Sequence, residues 1–132
     1  MQPSADSITT LYPNEVFVFG SNTKGAHGKG AAKTALGWGA VWGQGSGLMG
    51  KTYGIPTKDH QMRVLPINKI EKYVDEFIEF ATKNPSLTFL VTEVGCGLAN
   101  FSPKDIAPLF HKAITLNNVR LPRRFLRVLI KE

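Results

Sequence analysis

Hydrophobic residues in this chain fall into short runs separated by glycine- and proline-rich breaks. The first run, Val16-Phe17-Val18-Phe19, lies between Pro13-Asn14 and Gly20, so Glu15–Phe19 is predicted to be a buried strand. Gly28 to about Leu36 is predicted to be a short helix opened by a glycine loop. Thr52-Tyr53-Gly54-Ile55 reads as a second strand, ending in Pro56-Thr57-Lys58-Asp59. The clearest periodicity is Ile70, Tyr73, Val74, Phe77, Ile78 and Ala81, the stripe of a helix with one buried face. Asn68 is its predicted N-cap, Glu71 the capping-box partner, and Asn84-Pro85 the stop. Leu87 to Val94 reads as a central strand. Ser102 is expected to cap the next helix, with Pro103 at its first position and Asp105 at its third. Ile106, Leu109, Phe110, Ala113 and Ile114 form that helix's apolar stripe, and Pro108 is placed to bend it. Phe125 to Ile130 reads as a terminal strand.

The predicted order is β, α, β, α, β, α, β. Such alternation implies an α/β fold with a largely parallel sheet and helices on both faces. Residues 1–13 read as a loose tail and 14–132 as one domain. Ligands of such sheets bind at the C-terminal ends of strands. That edge carries Gly20-Ser21-Asn22, Pro56-Thr57-Lys58-Asp59 and Gly95-Cys96-Gly97-Leu98, so three loops are expected to converge on one cleft. Gly37, Gly39, Gly43, Gly45, Gly47 and Gly50 interrupt the region after the first helix. The segment from Gly43 to Gly50 reads as a mobile lid or a plain surface connection.

Composition narrows the class. The 132 residues are 42% hydrophobic and 20% charged, as in ordinary soluble domains. No apolar run approaches the roughly 18 residues of a membrane span, and Met1 to Ser7 lacks the features of a signal peptide. Cys96 is the only cysteine, which excludes an internal disulfide and fits a reducing, cytoplasmic setting. The net charge is +6 and the pI about 9.6. Much of the excess lies at Arg120, Arg123, Arg124, Arg127 and Lys131. Such a face attracts nucleic acid or a phosphorylated ligand. No aromatic-interleaved basic motif accompanies it, so a solvated basic face is the plainer reading.

Two segments combine a strand, a glycine loop and a helix: Val16 to Ala32 and Phe89 to Pro103. Glycine lets backbone N–H groups approach phosphate oxygens, and a helix N-terminus favours negative charge. Two such loops suggest a ligand with more than one phosphate, such as a nucleotide diphosphate. Neither has the spacing of a P-loop or of a dinucleotide-binding fingerprint. Asn22 and His27 are suited to ligand hydroxyls or phosphate oxygens. The structural alternatives are an Asx turn for Asn22 and a surface contact for His27. Cys96 before a helix is either a nucleophile or, more simply, a small residue that lets a ligand approach. None of His27, His60 and His111 is placed to serve it as a base. Lys58 and Asp59 are either a positioning ammonium with an acid–base carboxylate or a solvated turn. No metal-ligand spacing occurs, and no cofactor is implied.

These stretches resemble the macrodomain family of ADP-ribose-binding α/β modules. The resemblance rests on Phe19-Gly20-Ser21-Asn22 through His27-Gly28-Lys29-Gly30-Ala31-Ala32, on Tyr53-Gly54-Ile55-Pro56-Thr57-Lys58, on Val94-Gly95-Cys96-Gly97-Leu98, and on Ile106-Ala107-Pro108-Leu109-Phe110. The chain looks closest to a compact branch in phage and prophage non-structural proteins. The resemblance implies a three-layer α/β/α fold with a mainly parallel mixed sheet. It also implies an ADP-ribose site built from Gly20, Ser21, Asn22, Gly25, His27, Gly28, Gly30, Thr57, Gly95, Cys96, Gly97, Leu98 and Ala99. Asn22 and the Gly25–Gly30 turn would hold the distal ribose, and the Gly95–Leu98 amides the diphosphate. Hydrolysis of ADP-ribose-1″-phosphate or of an ADP-ribosyl ester is the implied activity, with Lys58, Asp59 and Asn22 as catalytic candidates. Ala99 stands where the glycohydrolase branch carries an aspartate, and Asp59 is the carboxylate offered in its place. Glu15 is the nearest acidic residue to the position that selects adenine. The alternatives are a non-catalytic sequestering binder of a signalling nucleotide and a basic nucleic-acid-binding module.

Overall fold

A computed structural model describes residues 2–130. The strands are β1 (Glu15–Asn22), β2 (Gly47–Met49), β3 (Thr52–Lys58), β4 (Thr88–Val91) and β5 (Val119–Arg120). The helices are α1 (Gly30–Leu36), α2 (Ile67–Lys83), α3 (Pro103–Ile106) and α4 (Arg123–Leu129). A 3-10 helix, Ala107–Thr115, continues α3. The five strands form one sheet in the order β2-β3-β1-β4-β5, parallel except for the β2–β3 pair.

Alternation along β1 builds the two faces. Val16 and Val18 join Tyr53, Ile55, Phe89 and Val91 on one side. That side is covered by Ile70, Val74, Phe77 and Ile78 of α2, by Phe110 of the 3-10 helix and by Phe125 of α4. Phe77 sits at its centre, with ring centroids 5.2 Å from Tyr53 and 5.4 Å from Phe89. Phe17 and Phe19 point to the opposite face, where Ala32 and Ala35 of α1 pack with Met49, Leu11 and Trp38. The result is the expected three-layer α/β/α arrangement. Residues 1–13 carry contacts of their own. Ser4 is buried, its N–H donates to the Leu121 carbonyl (2.9 Å), and its hydroxyl donates to that of Val91 (2.8 Å).

Several elements differ from the sequence expectation. The predicted central strand Leu87–Val94 is an interior strand, between β1 and β5, but covers only Thr88–Val91. The predicted terminal strand Phe125–Ile130 is the helix α4. Phe125, Leu126, Val128 and Leu129 all touch the core, a helical spacing that a strand could not turn to one side. The strand at that end of the sheet is instead the two-residue β5. The predicted cap of α2 is also displaced: Pro66 occupies the N-cap position, no side chain caps the helix, and Asn68 lies within the first turn. The helix containing Pro108 becomes 3-10 from Ala107 onward. Proline has no N–H for the α-helical ladder. The Ser102–Asp105 capping box at α3 forms as expected, with the Ser102 N–H donating to Asp105 Oδ2 at 2.9 Å. No helix among the described residues is long and apolar enough to cross a membrane.

Candidate functional site

The parallel strands β1, β3 and β4 end together at one edge of the sheet, and a cleft of about 770 Å³ opens there. This falls within the size range of small-molecule sites, about 300–1,000 Å³. Its walls come from the loops that the sequence singled out. Gly20, Ser21 and Asn22 end β1; Gly28 and Gly30 lead into α1; Thr57 and Lys58 end β3; and Gly95, Cys96, Gly97, Leu98 and Ala99 follow β4. Trp42, Met62 and Leu98 leave apolar side chains exposed around it.

Two glycines set the loop after β4. A Cβ at Gly20 would lie 3.3 Å from the Gly95 nitrogen, so the end of β1 and this loop approach closely. Gly95 has φ +80°, and a Cβ there would also press on Ile106 at 3.1 Å. Gly97 differs from both. Its Cβ would meet nothing within 4 Å, so it opens onto the cleft. Among the described residues, the N–H groups of Gly97, Leu98 and Ala99 donate to no protein acceptor. Across the cleft, α1 begins without a side-chain cap and without an acidic residue in its first turn. The residues lining the cleft therefore include backbone donors without a protein acceptor, in the loop after β4 and in the first turn of α1.

The polar side chains at the end of β1 hold the loops in place. The Asn22 amide donates to the Ala26 carbonyl (2.8 Å) and accepts from the Ala26 N–H (2.9 Å). The Ser21 hydroxyl donates to the Gly45 carbonyl, and the Thr57 hydroxyl donates to the Ser21 carbonyl (3.3 Å). Gly25 and His27, expected among the ligand contacts, do not line the cleft. Gly25 has φ +75°, and its backbone lies against Gly43 and Gln44 too closely for any Cβ. His27 is fully buried. Its Nε2 lies 2.8 Å from both the Val41 and the Gln44 carbonyl and so carries the proton. Its Nδ1 is buried without a partner. Together with Ser21, these residues fasten the start of the glycine segment, and β2 pairs its later part with β3. The segment is thus tied down by hydrogen bonds and does not itself line the cleft; Trp42, just before it, does.

Lys58 reaches the cleft, whereas Asp59 does not line it. The Asp59 carboxylate accepts from the N–H groups of Gln61 (2.8 Å) and Arg63 (2.9 Å) and from the Arg63 guanidinium (3.1 Å). The Arg63 backbone bond leads in holding its pKa below the usual carboxylate value. Glu93 is the carboxylate that lines the cleft, and sequence reasoning missed it. Arg124 grips it through both oxygens, with Nε 2.7 Å from Oε2, and lowers its pKa. Its position just past the end of β4 was the available signal; its partner, 31 residues away, was not legible. Cys96 is half-buried, and burial, followed by the negative charge of Glu93, raises its thiol pKa from 9.0 to about 11. It remains protonated at neutral pH, which suits the small-residue reading rather than a nucleophile. No group of three or more metal-ligating side chains occurs among the described residues. The chain matches no family model, no curated protein and no solved structure.

Proposed function

We propose that the cleft binds ADP-ribose or a closely related nucleotide diphosphate, as the resemblance to macrodomains implies. One observation carries the reading: Gly97, Leu98 and Ala99, whose backbone N–H groups have no protein acceptor among the described residues, line a cleft that the uncapped start of α1 also lines. A diphosphate lying between them would satisfy donors that otherwise rely on water. The exposed Trp42 ring offers a face on which a planar group can stack.

Sequestration is favoured over hydrolysis. Lys58 is an available ammonium, but the carboxylate beside the cleft, Glu93, is clamped by Arg124 with its pKa lowered, which makes it a weak base. Asp59 is engaged in its own turn, and Cys96 is protonated. Calorimetric titration with ADP-ribose tests the binding, and mass spectrometry after incubation with ADP-ribose-1″-phosphate tests turnover. Saturable one-to-one binding with intact ligand is expected. Absence of binding at millimolar ADP-ribose overturns the reading, and rapid dephosphorylation overturns the preference for sequestration.

A further inference from the structure

A second concavity, of about 520 Å³, lies between the N-terminal segment and α4. Its charged lining is Arg123, Arg124 and Arg127 together with Asp6 and Glu93, and it shares Thr92 and Glu93 with the nucleotide cleft. The three arginines are not equivalent. Arg124 is bound through two nitrogens to Glu93. Arg123 meets Asp6 only at 4.0 Å, with both side chains largely exposed, so water competes with that contact. Arg127 has no carboxylate within 4.0 Å among the described residues. Two guanidinium groups one helical turn apart, at 123 and 127, are therefore available in a concave wall.

We infer that this groove, which adjoins the cleft at Thr92 and Glu93, is a second anion-binding site and that it takes the phosphodiester backbone of a single-stranded nucleic acid. The planar guanidinium fork matches a phosphate group through two parallel hydrogen bonds. Two contacts at successive positions suit a repeating phosphate chain better than a single small anion. The charged lining carries no aromatic side chain on which bases could stack, so the groove reads charge and not sequence. The inference does not require the ADP-ribose reading of the neighbouring cleft.

The test is fluorescence anisotropy with a labelled oligothymidylate of about eight nucleotides, titrated at several salt concentrations. Two phosphate contacts predict a slope of log affinity on log salt of about −1.4, or a roughly sevenfold loss between about 50 and 200 mM salt. The double variant Arg123→Ala/Arg127→Ala is expected to bind at least tenfold more weakly with a slope near zero, and Arg123→Lys/Arg127→Lys to keep the salt slope but recover only part of the affinity, because an ammonium lacks the guanidinium fork. Both positions are exposed, and unchanged melting of the variants shows that they fold. Failure of the native protein to bind the oligonucleotide, or equal binding by the alanine variant, overturns the inference. Equal binding of an aspartate oligomer of the same length overturns the assignment to phosphodiesters. ADP-ribose titration of the same alanine variant reads the cleft separately, so loss of one activity is distinguishable from loss of the other.

Discussion

Gly97 and Gly95 sit two residues apart in the same loop, yet substitution should affect them in opposite ways. At Gly97 the φ angle lies outside the left-handed region, and an added Cβ meets no atom within 4 Å. Gly97→Val should therefore fold normally, with its side chain projecting into the cleft in front of the free amides of residues 97–99. Hydrogen bonds to a charged group contribute about 1.5–3 kcal/mol each. Loss of one to a phosphate oxygen weakens ADP-ribose binding by about 10- to 150-fold. At Gly95, φ is +80° and a Cβ would lie 3.1 Å from Ile106. Gly95→Ala then costs about 1–2 kcal/mol from the left-handed backbone alone, a drop of several degrees in melting temperature for a domain of this size. Calorimetric titration with ADP-ribose and thermal melting of both variants form the assay. If Gly97→Val binds within twofold of the native protein, the amide cradle is not where the ligand sits. If it melts as low as Gly95→Ala, the distinction between open and packed glycines fails.

Other outcomes follow from the same geometry. Cys96, with a thiol pKa of about 11 against an ordinary 9.0, should alkylate at neutral pH about a hundredfold more slowly than an unperturbed thiol, as followed by mass spectrometry with iodoacetamide. Asp59 and Glu93 both have lowered pKa values in the folded chain, so their stabilisation is present above the ordinary carboxylate range and is lost as pH falls through the folded values. The melting temperature should accordingly fall on acidification below about pH 4, and more shallowly in an Asp59→Asn/Glu93→Gln variant; parallel curves would refute this assignment. His27→Ala removes a buried ring and leaves the Val41 and Gln44 carbonyls without their donor, at a cost of roughly 2–4 kcal/mol in denaturant unfolding. A cost under about 0.5 kcal/mol would show that the glycine segment is held by other contacts.

Periodicity and punctuation in the sequence determined the α2 stripe, the Ser102–Asp105 box, the parallel α/β architecture and the edge of the sheet where the glycine loops gather. Those features depend on residues close together in the chain or on general rules of strand connection. Tertiary structure decided what residue type and spacing leave open. Phe125–Ile130 is apolar enough for a strand, but packing against Phe110, at a ring distance of 5.7 Å, selects the helix. β2 and β5 have three and two residues, too few for any local pattern, and exist because β3 and β4 offer them hydrogen-bonding partners. The same reason governs the site. Asp59, Asn22, His27 and Glu93 all carry chemistry suited to a cleft, but a polar group acts on a ligand only if the fold leaves it unpaired. Asn22 and Asp59 find partners four residues away or nearer, and His27 finds them 14 and 17 residues on. Glu93 finds its arginine across the fold. What remains unpaired at the cleft among the described residues includes the Lys58 ammonium, which the sequence did mark, and backbone N–H groups, whose availability no side-chain pattern records.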